Sequence, residues 1–151
     1  MKNKVNAETL RTLRFAEGGK MKFAKVVFWV AGIWGLVVIT PLYFLFDLIG
    51  KQDPPAITHP GFYYGFAGCA LAWQIAFMCI GRDPVGLRVM MIPSMVEKFT
   101  YCTAVVVLVM QGRTNQRDLV FAATDLTLGV LFVASYFKTT ESGAEKAKGN
   151  L

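Results

Sequence analysis

Four long apolar stretches alternate with short polar segments along the chain. They cover about residues 23–49, 62–80, 89–110 and 119–137. Each offers roughly 19–27 residues, against about 20 needed for a helix to cross a hydrocarbon layer ~30 Å thick. No water is present in that layer to satisfy backbone N–H and C=O groups, so runs this long must be helical there. The pattern predicts an all-α fold: an integral membrane four-helix bundle, running up-down-up-down.

The segments between the stretches carry the helix punctuation. Residues 1–22 form a polar, basic tail. Leu10, Leu13 and Phe15 fall near one helical face there, so the tail is either a short interfacial helix ended by Gly18 and Gly19 or an unstructured arm. Pro41 is expected to kink the first span in its outer half. Residues 50–61 hold three prolines and two glycines and read as an irregular loop. Tyr63 and Tyr64 mark the interface where the second span begins, and Gly61, Gly65 and Gly68 leave room for a neighbouring helix. Asp83 followed by Pro84 is a helix-start signal, with Asp as N-cap and Pro at the first helical position. An interfacial turn over 85–88 then leads into the third span, which Pro93 should bend near the cytoplasmic interface. Residues 111–116 are a short polar turn. The tail over 138–151, rich in Gly, Ala, Glu and Lys, reads as disordered and cytoplasmic. One four-span domain over 23–137 is thus framed by two tails.

Charge placement supports this reading and orients it. Charged residues make up 17% of the chain, below the quarter or so usual in soluble domains, and they crowd the ends and connections. Twelve Lys and Arg flank the spans on the side of the N-terminus: seven up to Lys25, then Arg82, Arg88, Lys138, Lys146 and Lys148. Three lie on the other side, namely Lys51, Arg113 and Arg117. Positive loops stay inside, so both termini are expected in the cytoplasm. The net charge of +6 lies beside apolar spans, which points to topology and anionic lipid and away from nucleic acid. The N-terminus is not expected to act as a cleavable signal peptide, because its basic region is long and its apolar run exceeds the ~7–15 residues of a signal core. Cys69, Cys79 and Cys102 form no C-x-x-C pair and read as small hydrophobes.

Candidate chemistry lies in the polar residues that fall inside the spans. These are Gln74 in the second, Glu97 and Lys98 in the third, Asp125 in the fourth, and Asp47 nearer the outer interface. At 1.5 Å per residue, Gln74, Glu97 and Asp125 lie ~9, ~12 and ~18 Å from the inner side. Such groups face the bundle interior and pair with one another. Lys98 is the counter-charge for Glu97, Asp125 or both. Its side chain points ~100° away from that of Glu97, so a bridge to Asp125 is open to it. Ser94, Glu97 and Tyr101 share one face of their helix, as do Phe121, Asp125, Leu128 and Phe132 of theirs. Trp73, beside Gln74, either walls a cavity or simply packs. Two readings follow. The groups form a hydrogen-bonded network that fixes helix register, or they line a pocket for a small lipophilic ligand, a proton or a quinone, with one carboxyl donating a proton while the other accepts it. Arg82, Asp83 and Arg88 at the inner turn are secondary candidates. No metal or haem signature is present: the spans hold no histidine, and His59, the only one, sits in the loop. Nothing matches a P-loop, a nucleophile elbow or a dinucleotide fingerprint.

The stretch from Gly68 to Lys98 resembles the DoxX-like group of small four-helix bacterial membrane proteins. The likeness rests on a second helix rich in small residues, on Gly81, Arg82, Asp83 and Pro84 at its exit, on Arg88, and on Lys98 in the third helix. The resemblance covers about half the chain and implies a multi-pass bundle in the bacterial cytoplasmic (inner) membrane. Some members of that group are tied to thiosulfate–quinone oxidation or to redox-stress complexes. The cysteines here have no paired motif, so that activity is not carried over. The reading is a small inner-membrane protein with a polar intramembrane pocket, acting as a binding or accessory subunit of a redox- or quinone-linked system more than as an enzyme. Its ligand would be a quinone or lipid, and its partners the bilayer and a membrane protein or further copies of itself. Two other classes stay open. One is an enzyme on a lipophilic substrate, a quinone reductase component or sterol-type isomerase, with Glu97 and Asp125 as acid and base. The other is a small transporter or proton pathway built as an oligomer. Four short helices without matched unwound segments disfavour a full transporter unless the protein dimerises.

Overall fold

The apolar stretches fold as helices, and the breaks between them fall at the prolines, glycines and Asx turns. A computed structural model describes the backbone of residues 7–52 and 56–149, and the side chains of Thr12, 18–52 and 56–139. Among the described residues five α-helices run in the order α1 Ala7–Ile39, α2 Phe46–Gln52, α3 Pro60–Arg82, α4 Met91–Met110 and α5 Asp118–Gly149. No strand occurs among the described residues. Among the described residues four segments are long and apolar enough to cross a membrane: Gly18–Tyr43, Pro60–Arg82, Arg88–Met110 and Asp118–Thr139.

The helix ends differ from the sequence pattern in informative ways. The N-terminal tail is no separate interfacial helix, since α1 passes through Gly18 and Gly19 without a break. Glycine costs a helix only about 1 kcal/mol relative to Ala, and the flanking Ala, Glu, Lys and Met residues favour continuation. Residues 1–6 of that tail lie outside the described residues. Pro41 does more than kink the first span. α1 stops at Ile39, a 3-10 helix follows over Thr40–Tyr43, and α2 begins at Phe46. The Pro ring clashes with the preceding turn, and its missing N–H takes a donor from the ladder. α2 also occupies the first residues of the expected loop; Asp53, Pro54 and Pro55 lie outside the described residues.

Asp83 does not cap the third span. It ends α3, and its Oδ1 accepts the Gly86 N–H at 2.9 Å. A 3-10 turn over Arg88–Met90 then leads into α4. Pro93 therefore falls in the first turn of α4, where no intrahelical partner waits for an N–H, a position that tolerates proline without breaking the helix. At the far end of α4, Gly112 takes φ 65°. The Arg113 N–H reaches Leu108 O and the Gly112 N–H reaches Val109 O, the paired bonds of a left-handed glycine cap. The tail predicted as disordered continues α5 to Gly149. Ala, Glu and Lys are strong helix formers, and a helix already nucleated by the span extends through them at little cost.

Contacts fix the packing. Along α1 and α3, a Cβ on Gly81 would meet the Trp29 backbone, and one on Gly32 would meet Met78 and the Gln74 backbone, so the two run antiparallel at close range. Beyond Ile39 the Tyr63 hydroxyl donates to Leu42 O at 2.8 Å. Phe46 rests on Tyr63 and Tyr64. α5 lies antiparallel to α1, with Phe28 stacked on Phe132 at 4.2 Å and Lys138 over the Phe23 ring. α4 lies antiparallel to α5, tied by Arg88 to Tyr136 at one end and by Lys98 to Asp125 further along. Consecutive α3 and α4 scarcely touch.

The tight core sits towards the end where α1 enters and α5 leaves the bundle. It gathers Phe28, Phe77, Ile80, Met91 and Phe132. The outward surface is also apolar: Val26, Val30, Ile33 and Val37 of α1 and Val120 and Val130 of α5 are each more than half exposed. A soluble monomer rarely shows a continuous apolar surface of this extent. This is the build of a multi-pass membrane protein.

Candidate functional site

Lys98 organises the polar interior. It is 5% exposed on α4. Its Nζ lies 3.0 Å from Asp125 Oδ1 on α5 and 3.2 Å from Glu97 Oε2. The neighbouring acid on its own helix and the acid across the seam are therefore both its partners. Gly129, one turn beyond Asp125, makes the reach possible: a Cβ there would crowd the Phe99 ring at 3.1 Å and Lys98 Cβ at 3.4 Å. On its other side the ammonium stands 5.3 Å from the centroid of the Phe77 ring, in the core. The three charges mark the boundary between the packed half of the bundle and an open one.

The open half is a cavity of about 810 Å³. Glu97, Lys98 and Tyr101 line it from α4, Asp118, Phe121 and Asp125 from α5, Phe66, Cys69, Trp73 and Gln74 from α3, and Trp34 and Gly35 from α1. Its size falls within the ~300–1,000 Å³ of small-molecule sites, and its make-up, apolar with a few converging polar groups, is theirs as well. Gln74 sits on the wall in an unusual state. Its Nε2 donates to Ala70 O at 2.9 Å, and its buried Oε1 has no donor. The amide lies against Gly35, where a side chain would collide with it. Glu97 Oε2 also lacks a hydrogen-bond donor, since its contact with Lys98 is an ion pair without hydrogen-bond geometry.

The six residues grouped by sequence as the intramembrane network, Trp73, Gln74, Glu97, Lys98, Tyr101 and Asp125, are thus brought to one cavity. The secondary candidates are not. Asp47 is exposed on α2. Arg82 is exposed at the end of α3, and Asp83 holds the turn through Gly86. Arg88 lies 3.7 Å over the Tyr136 ring and donates to Tyr136 O, which clamps α5 to the start of α4. Ser94, on the Glu97 face, donates to Met90 O within its own helix. His59 stands exposed before α3. Among the described residues no three His, Cys, Asp or Glu side chains are placed to hold a metal ion.

Among the lining residues that escaped the sequence reading are Asp118 and Trp34. Asp118 accepts a hydrogen bond from the Thr114 hydroxyl at the far end of the cavity. It lies seven residues before Asp125 and three before Phe121, so the stripe 118, 121, 125, 128 and 132 already carried the signal. Trp34 offers no such pattern, because every face of its helix is apolar. Comparison of the chain with protein-family models, with curated proteins and with solved structures found no match.

Proposed function

We propose that this is a multi-pass protein of the bacterial cytoplasmic membrane, with both termini in the cytoplasm, that binds a small lipophilic molecule inside the bilayer. It acts as a binding or accessory subunit of a membrane system, and the DoxX-like likeness would put that system near redox chemistry. One observation carries the reading: the buried charges do not close on themselves in a packed core but border a cavity of about 810 Å³. A network serving only to fix register needs no such space. With the termini inside, the cavity falls in the outer half of the bilayer, since the packed core occupies the other half.

The test is purification in mild detergent followed by mass spectrometry of co-purified lipophiles. The wild-type chain should carry a defined molecule, and the combined variant E97Q/K98M/D125N, near in shape and without the charges, should lose it. Equal retention by both would sink the reading. A second reading, proton transfer on a lipophilic substrate, draws on the two carboxyls that share one ammonium beside that space. Turnover by the purified protein with a bell-shaped pH profile would select it.

A further inference from the structure

The polar groups of the cavity are unbalanced, and the imbalance has a chemical complement. Three carboxylates, Glu97, Asp118 and Asp125, line it against one cation, Lys98. That cation is already engaged by two of them, and the third is met only by a neutral hydroxyl. The other packed elements add no positive charge: α1 brings no ionisable side chain to the lining, α3 brings Cys69, and α4 adds Tyr101. Asp118 stands in the first turn of α5, where the helix N-terminus favours a negative charge, but Glu97 and Asp125 lie deeper beside a single cation, and a surplus of negative charge there is costly unless a proton or a cation answers it.

Hydrogen bonding leans the same way. Gln74, 3% exposed, presents an acceptor with no donor, and Glu97 is met by Lys98 alone, which donates to its Oε1 at 3.4 Å and pairs with its Oε2 at 3.2 Å. The hydroxyls of Thr100 and Thr124 are turned back to carbonyls of their own helices. The remaining donors on the wall, the Tyr101 hydroxyl and the indole N–H groups of Trp34 and Trp73, are neutral, and Lys98 is its one positive charge. A quinone could accept from those neutral donors but brings no positive charge, so the surplus of negative charge would stay unanswered. Trp34 and Trp73 on the wall suit a cation, whose attraction to an indole face is strongest where water is excluded.

We infer that the ligand is a lipophilic amine bound as its ammonium, with its head among Glu97, Asp125 and Gln74 and its apolar body against the aromatic wall. This rests on the reading of the cavity as a binding site. The experiment places the full chain in nanodiscs of zwitterionic phosphatidylcholine and follows tryptophan fluorescence against empty nanodiscs. The probes are 4-phenylbutylamine, which is protonated at pH 7, the matched alcohol 4-phenylbutanol, and decylubiquinone. The ammonium should bind about tenfold or more tightly than the alcohol. E97Q and D125N should each remove most of that preference. Equal binding of amine and alcohol by the wild type, or tighter binding of the quinone, overturns the amine and leaves the cavity reading standing. If none of the three binds above the empty nanodiscs, both fall. The wild-type comparison decides even where a variant does not fold.

Discussion

Lys98 answers two carboxylates at once, so its loss should cost more than the loss of either acid. With Glu97 and Asp125 in place, K98M leaves two acids beside each other and no cation within contact. Breaking a buried ion pair from one side typically costs ~3–5 kcal/mol, because the remaining charge is stranded. E97Q or D125N leaves Lys98 one acid, and the loss should be nearer the ~0.6 kcal/mol average of intramembrane hydrogen bonds. Unfolding in mixed micelles titrated with dodecyl sulfate would measure both, and E97Q added to K98M should recover part of the deficit. If K98M unfolds at the same point as E97Q, the ammonium is not what holds the acids in place. Spacing alone identified these three residues, because a charge in an apolar run is conspicuous and must look inward. It did not reveal that Gln74 would keep an acceptor unmatched. That depends on Gly35 lying opposite, 39 positions away in sequence, and no local pattern encodes the pairing.

At the scale of helices, the number and placement of the spans were readable because the bilayer sets one length and forbids unpaired backbone. Their ends were not. Gly18 and Gly19 read as a stop, yet glycine stops a helix only where the chain turns left-handed, as it does at Gly112. Asp83 and Pro84 read as a helix start and instead form the turn before one, because Arg88 and Tyr136 fix where α4 must begin. Pro41 has the largest consequence. By ending α1 at Ile39 it turns the chain so that Leu42 O meets the Tyr63 hydroxyl and Ile49 reaches the cavity. P41A should let α1 run on and carry the Leu42 carbonyl away from Tyr63. Hydrogen exchange should then show a protected amide at residue 41, where proline has none, and stronger protection at Phe44 and Leu45, whose N–H groups now bond Pro41 O and Leu42 O at 2.9 and 3.4 Å, and stability should fall by about 1 kcal/mol for the lost hydrogen bond. Unchanged exchange there would mean that packing of Phe46 on Tyr63 and Tyr64, and not Pro41, sets the break.

For the molecule as a whole, three of the four seams around the bundle are closed, and the fourth is not. α1 packs on α3 and on α5, and α4 packs on α5, while α3 and α4 touch little. They are joined by a short turn at the end where Ile80 and Met91 share the core, so they part towards the cavity. Phe66 and Cys69 on one side and Thr100 and Ala104 on the other both line the cavity and are exposed. In a bilayer that opening faces acyl chains, so on the proposed reading the lipid phase would be the route by which the ligand arrives. A104F narrows the opening without touching Glu97, Lys98 or Asp125. It should slow association of 4-phenylbutylamine by about tenfold, as expected where binding must wait for a constriction to yield. Dissociation should slow by a similar factor, so that affinity changes little. V130F, on the outward face of α5, should change neither rate. Stopped-flow tryptophan fluorescence would separate the two rates. A wild-type association rate in A104F would place the way in elsewhere, and a loss of affinity without a change in association would make Ala104 part of the binding wall and not its doorway.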